Sequence, residues 1–328
     1  MSPPRLCVCV RESRFACDTL PRGSQSIAAK RGPLEDPLTW QALALVLVSA
    51  CAHASWNLLA RRSTDRLAFL WLMNVSAAVV LLPFALWRLI VAPPPTEGWI
   101  FVLGTGLLHV GYFYSLGRSY SSGDLSVVYP VARGTGPLLV TVAAVPLLGE
   151  VPSWLGALGV LLVVVGVYAT HARGFSATDL LAPARAILRD DGSRFALVTG
   201  VVIAFYTLWD RFGVRLVDPL LYGYFVFALP PIASAIPMLR SRREPIVAMA
   251  RTGLGWCVLA ACLGYLAYGL VLTAFTLAPV AYVAAAREVG IVVGSALGVL
   301  VLHEPHGRGR ILGSAAICLG VAAIGAAR

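Results

Sequence analysis

Residues 133–166 read RGTGPLLVTVAAVPLLGEVPSWLGALGVLLVVVG, and residues 287–320 read REVGIVVGSALGVLVLHEPHGRGRILGSAAICLG. Arg133, Gly136, Glu150, Gly159 and Gly166 of the first stretch return in the second as Arg287, Gly290, Glu304, Gly313 and Gly320, at a constant offset of 154; Tyr114 returns likewise as Tyr268. Such spacing marks a duplicated unit. Both copies lie in almost uninterrupted apolar sequence, so what is duplicated is membrane-embedded architecture, an arrangement in which two halves enclose a central site.

Composition agrees. Apolar residues make up 58% of the chain and charged residues 13%, about half the charged share of a soluble domain. A helix needs about 20 mostly apolar residues to cross the hydrocarbon core. Ten segments meet that length, near 39–60, 67–91, 99–117, 124–148, 152–170, 196–215, 219–239, 253–276, 279–302 and 309–327. They are continuous and rich in Leu, Val and Ala, unlike the short alternating strands of a membrane β-barrel. The fold class is therefore an all-α polytopic membrane protein, with the lipid bilayer as its solvent.

Residues 1–38 are polar and lack the apolar centre of a secretory signal, so they read as a disordered tail. The first five spans form one unit, 39–170; a hydrophilic linker, 171–195, leads to the second, 196–328. An odd number of crossings per unit brings the second unit in with reversed orientation. The spans then form two inverted five-helix repeats about an axis in the membrane plane, and equivalent residues meet near the bilayer centre.

The formal net charge is +10, but its arginines are scattered through loops and tail without a basic face, which excludes nucleic acid as a partner. Lys30 is the only lysine, a usage that resembles GC-rich coding sequence and points to a bacterial source. Counting Lys and Arg near span ends gives 7 on the side of the N-terminus and 14 opposite, which taken alone places both termini outside. The seven cysteines show neither a disulfide framework nor zinc spacing. His303-Glu304-Pro305-His306 lies beside Arg308 and Arg310, which disfavour a cation, so no metal or other cofactor is expected.

Arg133 lies about nine residues into its span, roughly 13 Å deep; Arg287 is comparably deep in the ninth. An arginine there stays charged at a cost of ~3 kcal/mol or more, and so must face protein, water or an anion. The two make an anion clamp; the competing reading pairs each with a carboxylate or a freed carbonyl. Glu288 adjoins Arg287, but successive residues do not share a helix face. Pro130 and Pro137 bracket Arg133 with Gly134 and Gly136 between, predicting a kink that frees carbonyls in the fourth span.

Tyr129, Tyr114 and Tyr268, with Tyr112, Tyr206, Tyr265, Tyr282 and His109 nearby, suit a solute of mixed polarity, although tyrosines also gather at membrane interfaces. Asn57 and Asp210 follow Trp56 and Trp209 at an offset of 153; both read first as snorkelling polar residues and second as gating or coupling groups, and Asp210 and Glu288, the carboxylates within spans away from loop edges, are the candidates for proton coupling. Trp40, Trp87, Trp99, Trp154 and Trp256 lie near span ends as interfacial anchors. Gly290, Gly294 and Gly298, and the glycine pairs at spacing seven, permit close helix contact, self-association as a homodimer included.

The segment Val145-Pro146-Leu147-Leu148-Gly149-Glu150 followed by Gly159 and Gly166 resembles the EamA repeat of the drug/metabolite transporter superfamily, and Leu302-His303-Glu304 with Gly313 and Gly320 is similar. The resemblance spans about residues 39–327. It implies a ten-helix inverted repeat, alternating access, movement of small metabolites, no bound cofactor, residence in the cytoplasmic membrane, peripheral fifth and tenth spans, and both termini in the cytoplasm. His303 stands where that pattern has glycine. A narrower similarity, through His53-Ala54-Ser55-Trp56-Asn57 and Tyr129-Pro130-Val131-Ala132-Arg133-Gly134, is to members associated with phosphonate use, for which an anionic small-molecule solute is implied.

The expectation is a secondary transporter for a small metabolite carrying an anionic group, rather than an enzyme. A lipid-headgroup flippase shares the same features. An integral-membrane enzyme needs a metal cluster or a nucleophile with its base, and the sequence assembles neither.

Overall fold

Helix starts in this chain are written locally. In the computed structural model, Thr39, Asp65, Asp190 and Asp218 each sit at an N-cap and accept a hydrogen bond from a backbone N–H of the first turn, at 3.2, 2.9, 2.8 and 3.0 Å. These side chains satisfy donors that a helix cannot satisfy itself. The structure describes residues 38–122, 125–171, 182–302 and 308–327. Most of the tail, part of the linker and His303–His306 lie outside the described residues.

Every regular element described is helical. In chain order they are α1 (Trp40–Arg62), α2 (Arg66–Val80), α3 (Leu82–Val91), α4 (Gly98–Ser122), α5 (Leu125–Leu148), α6 (Trp154–His171), α7 (Ala182–Arg189), α8 (Asp191–Gly213), α9 (Pro219–Ala233), α10 (Ala235–Ser241), α11 (Arg243–Thr252), α12 (Leu254–Leu277), α13 (Val280–Ala286), α14 (Val289–Leu302) and α15 (Arg308–Ala326). Eight stretches are long and apolar enough to cross a membrane, or up to ten if the bent pairs α2–α3 and α9–α10 each count as one span. The sixth apolar stretch begins at Asp191, five residues before the expected 196, because Asp190 caps it, and α7 occupies part of the expected linker.

The two bends, 47° and 51°, fall at Leu81 and Ser234, which are 153 positions apart. Proline causes both. Pro83 in the first turn of α3 cannot donate to the Val79 carbonyl, and Pro237 in the first turn of α10 cannot donate to the Ala233 carbonyl, so each bend lies within a turn that proline deprives of a bond. The Pro231 carbonyl accepts from Trp71 Nε1 at 3.3 Å. In the fourth span α5 is one continuous helix through Pro130, Pro137 and Pro146. The irregularity lies in the ninth span, where Glu288, Gly290 and Ile291 donate to carbonyls only three residues back, and Arg287 and Glu288 form a turn between α13 and α14.

Packing partners come in matched sets. The helix α1 packs on α12 and α14, as α8 packs on α4 and α5; α2 meets α12 as α4 meets α9; and α6 packs on α15. The glycines at spacing seven are consumed in that last contact. A Cβ on Gly159 would stand 2.7 Å from the Gly320 carbonyl, and one on Gly166 2.8 Å from the Gly313 carbonyl. Gly290 meets Ala50 at an ordinary 3.8 Å, and Gly294 meets nothing within 4 Å. The five tryptophans expected as anchors are all exposed, near helix ends.

Candidate functional site

Arg133 enters the bundle centre from α5, where glycine on either side lets neighbouring helices close in. A Cβ on Gly134 would strike the Tyr168 ring of α6 at 2.7 Å, and one on Gly136 would strike Ile203 of α8 at the same distance. Pro137 has no N–H, so the Arg133 carbonyl lacks its helical donor. The Arg133 side chain reaches Glu288 in the α13–α14 turn, Nη2 to Oε1 at 3.2 Å. The guanidinium Nε and the Glu288 Oε2 are buried without hydrogen-bond partners.

Arg287 points differently from its neighbour, as successive residues must. Its guanidinium stands 5.4 Å over the Tyr268 ring of α12, and among the described residues it makes no ion pair. The two arginines and Glu288 line one cavity with Gly136, Ile203 and Tyr206; its free volume, about 10 Å³, has room for a single water.

Beside this cavity sits a second polar group. Asp210 of α8 is wholly buried rather than snorkelling at a span end. Its Oδ2 accepts from Tyr268 and its Oδ1 from Tyr222 of α9 at 2.8 Å. Gly213 makes room for Tyr222, since a Cβ there would lie 2.4 Å from the ring. His109 of α4 donates from Nδ1 to the Thr105 carbonyl at 2.8 Å, and its ring lies 4.5 Å from that of Tyr206 and 5.7 Å from that of Tyr268. Tyr268 therefore touches both groups, its hydroxyl on Asp210 and its face under Arg287.

Other expected residues lie elsewhere. Tyr114 is 65% exposed, against Phe195, although its repeat mate Tyr268 is buried. Tyr129 packs on the His171 ring at 4.9 Å, and Asn57 turns back on its own helix to donate to the His53 carbonyl. Tyr282 accepts from the Ser153 N–H at 3.0 Å and so holds a loop rather than lining the centre. Tyr222, which holds Asp210, and Thr207, which lines the arginine cavity, escape a reading of the sequence, because neither stands in a recognisable pattern; their place depends on helix crossings.

Arg211 is also buried, 3.5 Å from Glu150. Gly149, at φ 69°, ends α5 in the left-handed region, and the Glu150 N–H returns to the Ala144 carbonyl. That turn aims Glu150 at the start of α13, where Pro279 offers no side-chain cap, and its Oε2 accepts the Val280 N–H at 2.7 Å. Burial pushes the Glu150 carboxyl above its ordinary range, against the opposing pull of Arg211 and the backbone donors.

Residues 40–171 match the model of the EamA-like transporter family. No curated protein sequence matches the chain. Solved structures do: one, described as "Crystal structure of protein", is 16% identical with a TM-score of 0.65 over 86% of this chain and 95% of the other, a likeness of fold. With eight to ten candidate spans the protein is a multi-pass membrane protein, and its residues 40–171 are similar to the EamA-like transporter family, consistent with the drug/metabolite transporter superfamily.

Proposed function

We propose that the protein is a secondary transporter that moves a small organic solute with a negative group across the cytoplasmic membrane by alternating access, using two inverted five-helix repeats. One observation carries this reading: Arg133 and Arg287, 154 positions apart on different spans, line the same cavity. Two permanent cations beside one cavity in an apolar bundle are costly unless an anion or a carboxylate answers them, and of the two only Arg133 has an ion-pair partner among the described residues. The matched packing sets and the two bends 153 positions apart support the repeat arrangement. A cavity with room for one water must widen to take an organic solute, so the helices around it must move, as alternating access requires.

Thermal-shift measurements on purified protein against phosphonates, carboxylates, sulfonates, amino acids and amines test the proposal. An anion at 100 times its dissociation constant stabilises by about 2.7 kcal/mol. Selective stabilisation by anions, lost in Arg287→Ala, is the expected result. Stabilisation by amines or neutral solutes alone overturns the anion assignment.

A further inference from the structure

The charges around the cavity balance. With histidines neutral, Arg133 and Arg287 stand against Glu288 and Asp210, and the Arg211–Glu150 pair is balanced in itself. An added anion leaves this interior one negative charge in excess, in a region with little water to screen it. Arg133 is moreover already engaged, so a solute that uses both arginines competes with Glu288.

Resting on the anion reading above, we infer that solute and proton bind together: the anion replaces Glu288 on Arg133, and Glu288 takes up one proton, so transport is proton-coupled. The Arg133–Glu288 ion pair breaks, an Arg133–anion pair forms, and one proton from the aqueous phase on the open side adds to the Glu288 carboxylate. The net charge of the interior is unchanged. Solute and proton leave together on the far side, and the ion pair re-forms.

Glu288 suits this exchange better than Asp210. Both Asp210 oxygens already accept phenolic hydrogen bonds, which favour the ionised form, so a proton there would weaken bonds that the carboxylate now holds. Glu288 lines the cavity, is 4% exposed, and its Oε2 has no partner, so that oxygen can carry a proton without giving up a bond. The ionisable groups acting on it are Arg133 on α5, Arg287 on its own turn and Tyr206 on α8, and those acting on its partner Arg133 include Tyr112 on α4, Tyr129 on α5 and His53 on α1. The permanent charges acting on Glu288 are Arg133 and Arg287, so an anion that takes Arg133 leaves it one cation in place of two.

The test uses lactate and methanesulfonate, singly charged between about pH 5.5 and 8, so that the probe itself does not titrate. Apparent affinities come from thermal-shift titrations of the purified protein. For the wild type the apparent Kd rises with pH, approaching about tenfold per unit. In Glu288→Gln it is flat and at least as tight as the wild type at low pH. Glu288→Asp, which keeps the carboxyl, retains the pH dependence and stands in if the glutamine variant does not fold.

Anions that bind the wild type equally at every pH, with binding lost in Arg287→Ala, overturn the proton exchange and leave the transport reading standing. A dependence that survives Glu288→Gln and vanishes in Asp210→Asn also overturns it. Failure of both anions to stabilise any variant at any pH overturns both readings.

Discussion

Gly159 of α6 lies against the carbonyl oxygen of Gly320 on α15, and Gly313 of α15 lies against that of Gly166 on α6. Each contact is the other's image under the repeat offset, because Gly159 corresponds to Gly313 and Gly166 to Gly320. Backbone touches backbone at both points, and there is no side-chain space to surrender. Gly159→Leu or Gly320→Leu should therefore destabilise the protein by about 1–3 kcal/mol, the usual cost of overpacking, read as a lowered Tm in detergent. Gly294→Ala, whose Cβ would meet nothing within 4 Å, should leave Tm unchanged or raise it slightly.

The two central arginines should separate stability from binding. Arg133→Ala strands the buried Glu288 carboxylate and should cost about 3–5 kcal/mol, with much of the loss recovered in the Arg133→Ala, Glu288→Ala double variant. Arg287→Ala removes a ring contact, about 0.5–2 kcal/mol, and a cation that acts on Glu288 without forming its ion pair; it should cost less than Arg133→Ala and should abolish stabilisation by anions. Equal Tm losses for the two single variants would contradict the assignment of the ion pair to Arg133.

Asp210 offers a third measurement. Removing a hydroxyl by Tyr268→Phe or Tyr222→Phe leaves one carboxylate oxygen without its donor, at about 1–3 kcal/mol each. In the Asp210→Asn background the Tyr268→Phe cost should shrink, because the charge no longer demands that donor. A double-mutant cycle by thermal unfolding checks this, and additivity would mean the phenol and carboxyl are not coupled.

Glu150 sets a pH dependence. Its folded-state pKa is raised, so the folded protein binds more protons than the unfolded chain over the range just above the ordinary glutamate value. Stability therefore falls as pH rises through that window, and is higher below it. Tm measured across mildly acidic pH should show this slope in the wild type and less of it in Glu150→Gln. A wild type and variant with parallel Tm profiles would overturn it.

Much of this molecule is legible in its sequence. The apolar stretches and their approximate ends follow from composition, since a bilayer accepts only segments that satisfy their own backbone bonds. The offset of 154 singles out Arg133 and Arg287 by spacing alone. It also sets Tyr114 beside Tyr268 as an equal, and there the pattern misleads: one is 65% exposed and the other holds Asp210. Repeat position says where a residue sits on its helix, while its surroundings depend on neighbours that the two halves do not share.

Proline shows the same division. Pro130 and Pro137 announce freed carbonyls in the fourth span, where α5 stays one continuous helix, but nothing in the sequence announces the turn at Arg287 and Glu288, which forms without proline. Hydropathy and spacing are properties of a segment alone, and they suffice to indicate an all-helical, multi-pass membrane chain with two arginines 154 positions apart inside apolar stretches. Tertiary packing was needed to make Glu288 answer Arg133 across two helices, to leave Arg287 over Tyr268, and to close Asp210 in between Tyr222 and Tyr268. Those pairings depend on helix crossings, which come from the summed packing of many small residues and which no single stretch encodes.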